Sequence, residues 1–186
     1  MPERPRLLSY PQRPALCRRT PLRDPDADAL AASVARAQAP LRAGLGATAA
    51  AGDLEAIRER LFTTMWDDAG IVRDAAGLSR AAADLTALRD ALDGYRLPPS
   101  ARDPAFNVTW HDWLNLANLV DVSKVIVRAA QARENSRGAH FRADFPEAGD
   151  LGTSSFTRVR GSADGTLSVD AVRVAFTRVR PGSSLV

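Results

Sequence analysis

Residues 53–70 read DLEAIRERLFTTMWDDAG, and the spacing inside that stretch decides the architecture. Leu54, Ile57, Leu61 and Met65 return every three or four residues, so they share one face of an α-helix, with Phe62 beside them. Asp53 stands where an N-cap carboxylate belongs, and Gly70 supplies the stop. A second stripe follows after the short apolar link Ile71-Val72. It starts near Gly77, carries Leu78, Leu85, Leu88 and Leu92 with Ala81 and Ala82 in the gaps, and ends at Gly94. The third and longest helix is expected from about Thr109 to Asn135, with Trp113, Leu116, Val120, Ile126 and Ala130 recurring and Gly138 as its C-terminal stop. Three prolines and no period make residues 95–108 a loop.

Upstream of this core the pattern thins. Asp24 before Pro25 reads as an N-cap with proline at the first helical position, opening a helix to about Gln38 that Pro40 halts; its apolar face holds little more than Leu30 and Val34. Residues 41–52 form a loop. Downstream of Pro146 the period becomes 2. Residues 156–159 and 167–169 flank a turn at Asp164-Gly165, and Val172, Val174 and Phe176 continue the second strand after a bulge near Ala171. A lone hairpin is marginal in water, so it must pack on the bundle or on a partner. The fold expected is mainly α: a three-helix up-down bundle of spectrin-repeat type (24–148), then a C-terminal β-hairpin (149–186), behind a disordered Pro/Arg-rich tail (1–23).

Composition narrows the function. The net charge of +3 comes from the tail: residues 1–25 hold six arginines against Glu3 and Asp24, which leaves the body near neutral. Polyanion binding by the body is therefore not indicated, and no nucleic-acid partner is expected. Lys124 is the only lysine, which reads as coding bias rather than function. Cys17 is the only cysteine, which removes intrachain disulfides and thiolate metal sites and points to a reducing compartment. No apolar run reaches the roughly 18 residues of a membrane helix, so no direct membrane insertion is expected.

A search for chemistry returns no complete catalytic constellation. Residues 44–49 match G-x-G-x-x-A, but a helix and Pro40 precede them where the dinucleotide motif needs a strand. His111 and His140 lie far apart, and Asp67 and Asp68 are adjacent on a helix and do not face the same way. No catalytic, cofactor-binding or metal-ligating residue is assigned. Two segments nevertheless concentrate charge and aromatics: MWDDAGIVRD at 65–74, and AREN followed by SRGAHFRADFPE at 132–147. Cations at a helix C-terminus complement its dipole, yet so dense a set at one end of a bundle reads more readily as a polar network at a packed interface.

Those two segments, in this order and separation, resemble the C-terminal helical domain of the flavoprotein family that contains succinate dehydrogenase, fumarate reductase and L-aspartate oxidase. The family signatures MW-(D/E)-x-x-GIVR and SRG-x-H-x-R-x-D-(F/Y)-PE stand here at 65–73 and 136–147. Phe106-Asn107 and the hairpin after Glu147 look more like the succinate/fumarate branch than L-aspartate oxidase. The resemblance implies FAD and dicarboxylate sites in a long N-terminal part of the parent, to which nothing in these residues corresponds. It implies no cofactor in this chain and a flavin-binding domain or chain as its partner. A docking network of Trp66, Asp67, Arg73, Arg137, His140, Arg142 and Asp144 follows from the same likeness. The expected function is a scaffold for an FAD-dependent oxidoreductase of the fumarate reductase/succinate dehydrogenase type, not catalytic alone. That scaffold is read as a fragment or separate subunit, a truncated gene product included; a free-standing module docking on a separate flavin-domain chain, an L-aspartate oxidase C-terminal domain and a bundle unrelated in function to flavoenzymes are the alternatives. The expected location is cytoplasmic, including the membrane's inner face by way of partners.

Overall fold

The computed structural model describes residues 24, 26–42, 53–162 and 165–183. The 1–23 tail, Pro25, the 44–49 pattern and Asp164 of the hairpin turn lie outside them. The chain divides into two units at the Arg36–Ala37 step. Most of α1 (Ala27–Gln38) belongs to the first, and it buries no residue. The cap of α1 is Asp26, not Asp24: its Oδ1 accepts the backbone N–H groups of Asp28 and Ala29 at 2.9 and 3.0 Å, two of the donors a helix start leaves open.

In the second unit a 3-10 turn, Ala39–Leu41, follows at once, with Pro40 buried and its carbonyl accepting Leu97 N–H at 3.1 Å. Three long helices carry the core: α2 (Leu54–Asp67), α3 (Ala75–Gly94) and α4 (Val108–Gln131). Each packs on the other two. Asp53 caps α2 through Glu55 N–H. The second helix starts two residues before Gly77, because Asp74 caps it by accepting Gly77 N–H. A Cβ at Gly77 would stand 3.2 Å from the Asp68 carbonyl, so glycine lets the α2–α3 turn close tightly. Asn107 caps α4 by accepting Trp110 N–H at 2.8 Å.

The interior is aliphatic. Leu78, Leu85 and Leu92 of α3 are fully buried, as are Leu61 of α2 and Val120 of α4 to within 2%. Trp113 lies among them and donates its indole N–H to the Leu92 carbonyl at 2.8 Å, which lets its polar edge be buried. Two assignments from periodicity change. Ile126 is 42% exposed and Val127 takes its place, since Val127 follows Val120 by two full turns. Phe62 is exposed as well. The proline-rich 95–107 segment is not merely a surface loop: Tyr95 and Leu97 are buried in the core.

Two small sheets complete the fold. Val72–Arg73 (β1) pairs in parallel with Phe141–Arg142 (β2), where the sequence reads only as a link. Ser155–Gly161 (β3) and Leu167–Arg173 (β4) form the antiparallel hairpin, which packs on α4. Its register runs unbroken from Ser155↔Arg173 to Gly161↔Leu167, so there is no bulge at Ala171. Val169 and Val172 simply occupy opposite faces, Val172 pairing with the exposed Phe156 on the outer one. The strand ends at Arg173, short of Phe176.

Candidate functional site

At the end of α2 the chain must turn sharply into β1. Gly70 makes that turn possible: a Cβ there would sit 2.5 Å from the Trp66 carbonyl oxygen, inside any tolerable contact. Arg73 then folds back, its Nε–H shared between the carbonyls of Ala69 and Gly70, so a cation occupies the negative end of the α2 dipole. Trp66 points away from all this and is 83% exposed; Asp67 beside it is exposed too. Asp68, next along, is tied to Arg80 of α3 at 2.6 Å.

β2 lies alongside β1 through Phe141 N–H to the Ile71 carbonyl (3.1 Å) and Ala143 N–H to the Arg73 carbonyl (2.8 Å). This pairing brings Arg142 beneath the end of α4. Its residue exposure is 2%, and every nitrogen has an acceptor. Nη1–H reaches the carbonyls of Ala130 and Arg133, both at 3.0 Å; Nε and Nη2 form a fork on the two Asp144 oxygens, both at 2.7 Å. The Asp144 carboxylate also accepts Ala75 N–H, the first residue of α3, at 3.0 Å. One bidentate pair thus sets a cation at the C-terminus of α4 and an anion at the N-terminus of α3, the favourable sign at each dipole. The Arg142 fork holds the Asp144 carboxyl down at about 2, with help from Ala75 N–H. The same pull raises the Arg142 guanidinium further.

These carbonyl contacts explain why α4 stops at Gln131 rather than near Asn135: Arg142 takes the acceptors that further helical N–H groups would use. Gly138 is correspondingly not a helix cap. It sits at φ +59° in a tight turn closed by Arg137 N–H to the His140 carbonyl and His140 N–H to the Arg137 carbonyl, a left-handed position suited to glycine. Ser136 braces the turn, its hydroxyl donating to Phe145 O at 2.8 Å and accepting Arg142 N–H at 2.8 Å.

His140 is buried, 2.7 Å from Arg73 Nη1 through its Nδ1. A guanidinium can only donate, so Nδ1 accepts and the ring proton resides on Nε2. Nε2 has no hydrogen-bond partner among the described residues. Burial pushes the imidazole pKa down, and the neighbouring cations Arg133 and Arg73 push it the same way; an opposing pull from the Arg133 backbone is smaller. The ring is neutral near pH 7 by both geometry and charge.

Of the seven residues named from sequence, Arg73, His140, Arg142 and Asp144 come together. Arg137 is directed elsewhere, onto the carbonyls of Ala148 and Asp150 and the Ser154 hydroxyl, where it organises the loop into the hairpin. Trp66 and Asp67 face solvent. Sequence reading missed Ser136 and the exposed apolar side chains of the paired strands: Ile71 is 67% and Val72 63% exposed, with Phe141 opposite Val72. Among the described residues no group of three His, Cys, Asp or Glu is placed to hold a metal, and no helix is long and apolar enough to cross a membrane. The arrangement offers hydrogen-bond donors and an apolar rim, with no nucleophile–base pair.

The chain is similar to known proteins over much of its length. The family model described as "Fumarate reductase flavoprotein C-term" matches residues 58–184. The fumarate reductase flavoprotein subunit of Mycobacterium tuberculosis is 35% identical over 126 residues, 68% of this chain and 21% of that protein. L-aspartate oxidase of Yersinia pestis is 39% identical over 88 residues, 47% of this chain and 15% of that one. Among solved structures, the E. coli quinol fumarate reductase FrdA chain shares the fold with a TM-score of 0.65 at 24% identity, over 84% of this chain and 26% of its own length. Mycobacterium smegmatis Sdh1 in its apo form gives 0.61 at 25% identity, over 80% and 24%. The chain thus spans about a fifth of the length of the fumarate reductase relative.

Proposed function

The chain belongs to the fumarate reductase flavoprotein C-terminal family, and from that premise we propose that it is the scaffold domain of an FAD-dependent dicarboxylate oxidoreductase, docking on the flavin-binding body through the end of the bundle where the two motif segments meet. The observation that carries this reading is the combination there of exposed Trp66, Ile71 and Val72 with the half-buried cations Arg73 and Arg133. Large apolar side chains exposed together beside a buried polar network suit an interface, which has an apolar centre edged by charge.

In such an enzyme the flavin supplies the hydride chemistry and the protein supplies orientation. The described residues do not suit that cofactor: parallel pairing is limited to two residues on each strand, and no glycine-rich loop runs from it into a helix N-terminus. The fumarate/succinate branch is favoured over L-aspartate oxidase because its match runs 126 residues against 88.

The test mixes the purified 186-residue chain with the flavin-binding part of the Mycobacterium tuberculosis relative, prepared without its own matching segment. The chain alone should be colourless and unable to reduce fumarate, and should co-sediment with the flavin absorbance once mixed. Stoichiometric flavin in the isolated chain, or separate sedimentation of the two, refutes the scaffold reading.

A further inference from the structure

The cations at this end of the bundle are not equally provided for. Arg142 has Asp144, and Arg80 has Asp68. Arg73 and Arg133 have no carboxylate within ion-pair distance among the described residues. Their recorded partners are neutral: the Ala69 and Gly70 carbonyls and His140 for Arg73, the Asn135 amide oxygen at 3.1 Å for Arg133. Arg73 Nη2 and Arg133 Nε and Nη1 have no acceptor among those residues. Acids do border the groove on the far side of Arg133, which Glu134, Asp150 and Asp170 help to line. Asp170 is held by Arg158 and Asp150 caps the turn at Gly152, so neither is drawn to Arg133.

The two guanidinium groups are close enough to disfavour one another. Arg133 adds to burial in lowering the Arg73 pKa, and Arg137 does the same to Arg133. Bringing like charges into a half-buried region without a counter-ion is unfavourable, and a carboxylate supplied by a bound partner would relieve it. Arg73 follows the exposed Ile71 and Val72 in the chain, and Val72 pairs with Phe141 in the small sheet, so a partner that covers those apolar side chains reaches the segment that carries Arg73.

We propose that Arg73 and Arg133 form a carboxylate-receiving site, filled in the assembled enzyme by an Asp or Glu side chain of the flavin-binding body. This rests on the docking reading above and adds the chemistry of the contact. The guanidinium forks present the planar, paired donors that a carboxylate accepts in bidentate fashion. His140, neutral and 2.7 Å from Arg73 Nη1, keeps Arg73 aimed without adding a third full charge.

Two arms test the site and separate it from the docking reading. In the first, the ring protons of His140 are followed by NMR across a pH titration of the 186-residue chain, in sodium chloride and then in sodium acetate at equal ionic strength. His140 is faced by Arg133, Arg73 and the Asp144-paired Arg142, so a carboxylate seated on the first two should raise its midpoint by about half a pH unit. Arg133→Gln should raise the chloride midpoint and abolish the acetate effect, and Arg133→Lys should keep part of it. Identical midpoints in the two salts for the unmodified chain, or an acetate shift that survives in Arg133→Gln, overturns the site. In the second arm, association with the flavin-binding part of the mycobacterial relative is measured against salt. Arg133→Gln should weaken it by at least about tenfold and flatten its salt dependence, while Trp66→Ala weakens it without flattening. An unchanged Arg133→Gln complex refutes the side-chain source and leaves docking intact. No complex, with the acetate shift present, refutes docking and leaves a site for free carboxylates.

Discussion

Halfway along the bundle Leu85 of α3 is fully buried among aliphatic neighbours; at the bundle's end Arg142 is buried to within 2%, among carbonyls. The first kind of burial is non-directional. It asks for apolar volume, and a residue of similar size does nearly as well. The second depends on direction: Arg142 joins the last carbonyls of α4 to the Asp144 carboxylate, and that carboxylate to the first N–H of α3. Remove Arg142 and the carbonyls it serves at the end of α4 remain desolvated without their donor. The middle of the molecule can therefore drift in sequence while the end cannot, and an end fixed so tightly carries its exposed face in a fixed position.

The comparison can be broken most directly at Arg142. Arg142→Ala should cost about 3–5 kcal/mol in urea denaturation of the isolated chain, because the Ala130 and Arg133 carbonyls lose a charged donor worth about 1.5–3 kcal/mol each. Loss of under about 1 kcal/mol would place Arg142 among ordinary surface pairs. Leu85→Ala should cost about 2–5 kcal/mol through the cavity it leaves. The conservative variants sharpen the contrast: Leu85→Met should stay within about 1.5 kcal/mol of the parent, whereas Arg142→Lys should recover little, lacking the fork.

A smaller effect is read against pH. The folded Asp144 pKa of about 2 lies below its unfolded value near 3.8, so its contribution is complete above the unfolded value and is lost as pH falls through the folded one. The melting temperatures of the parent and Asp144→Asn should differ by a constant amount above pH 5 and converge as pH approaches 2. A difference that persists at pH 2 would show that charge is not what Asp144 contributes. The smallest effect belongs to Trp66→Ala, which should shift stability by no more than about 0.5 kcal/mol, since the ring is 83% exposed; a larger loss would mean that it packs at home rather than on a partner.

Periodicity describes the first kind of burial well and the second hardly at all. The stripes through Leu61, Leu85 and Val120, the Asp53 cap and the hairpin pattern could all be read directly, because each follows from residues a few positions apart. Tyr95 and Leu97 could not, since a proline-rich segment with no period gives no sign that two of its side chains reach the core. The β1–β2 pair escaped for a related reason: two residues are too few to show an alternation. At the site, both motif segments were evident as dense clusters, and Arg73, His140, Arg142 and Asp144 do meet. Which arginine holds Asp144 was not legible. Arg137 and Arg142 stand five positions apart in similar company, and only the turn at Gly138 sends one to the hairpin loop and the other under α4.

The parallel pairing of Val72–Arg73 with Phe141–Arg142 encloses two entire helices. Local contacts form first, and those that close long stretches of chain wait until the intervening helices have come together. Arg73 can therefore meet His140, and Ala75 meet Asp144 across 69 positions, only when the rest is in place. The surface that faces outward at this end depends on that closure, so its presence tells anything that binds there that the helices behind it have come together.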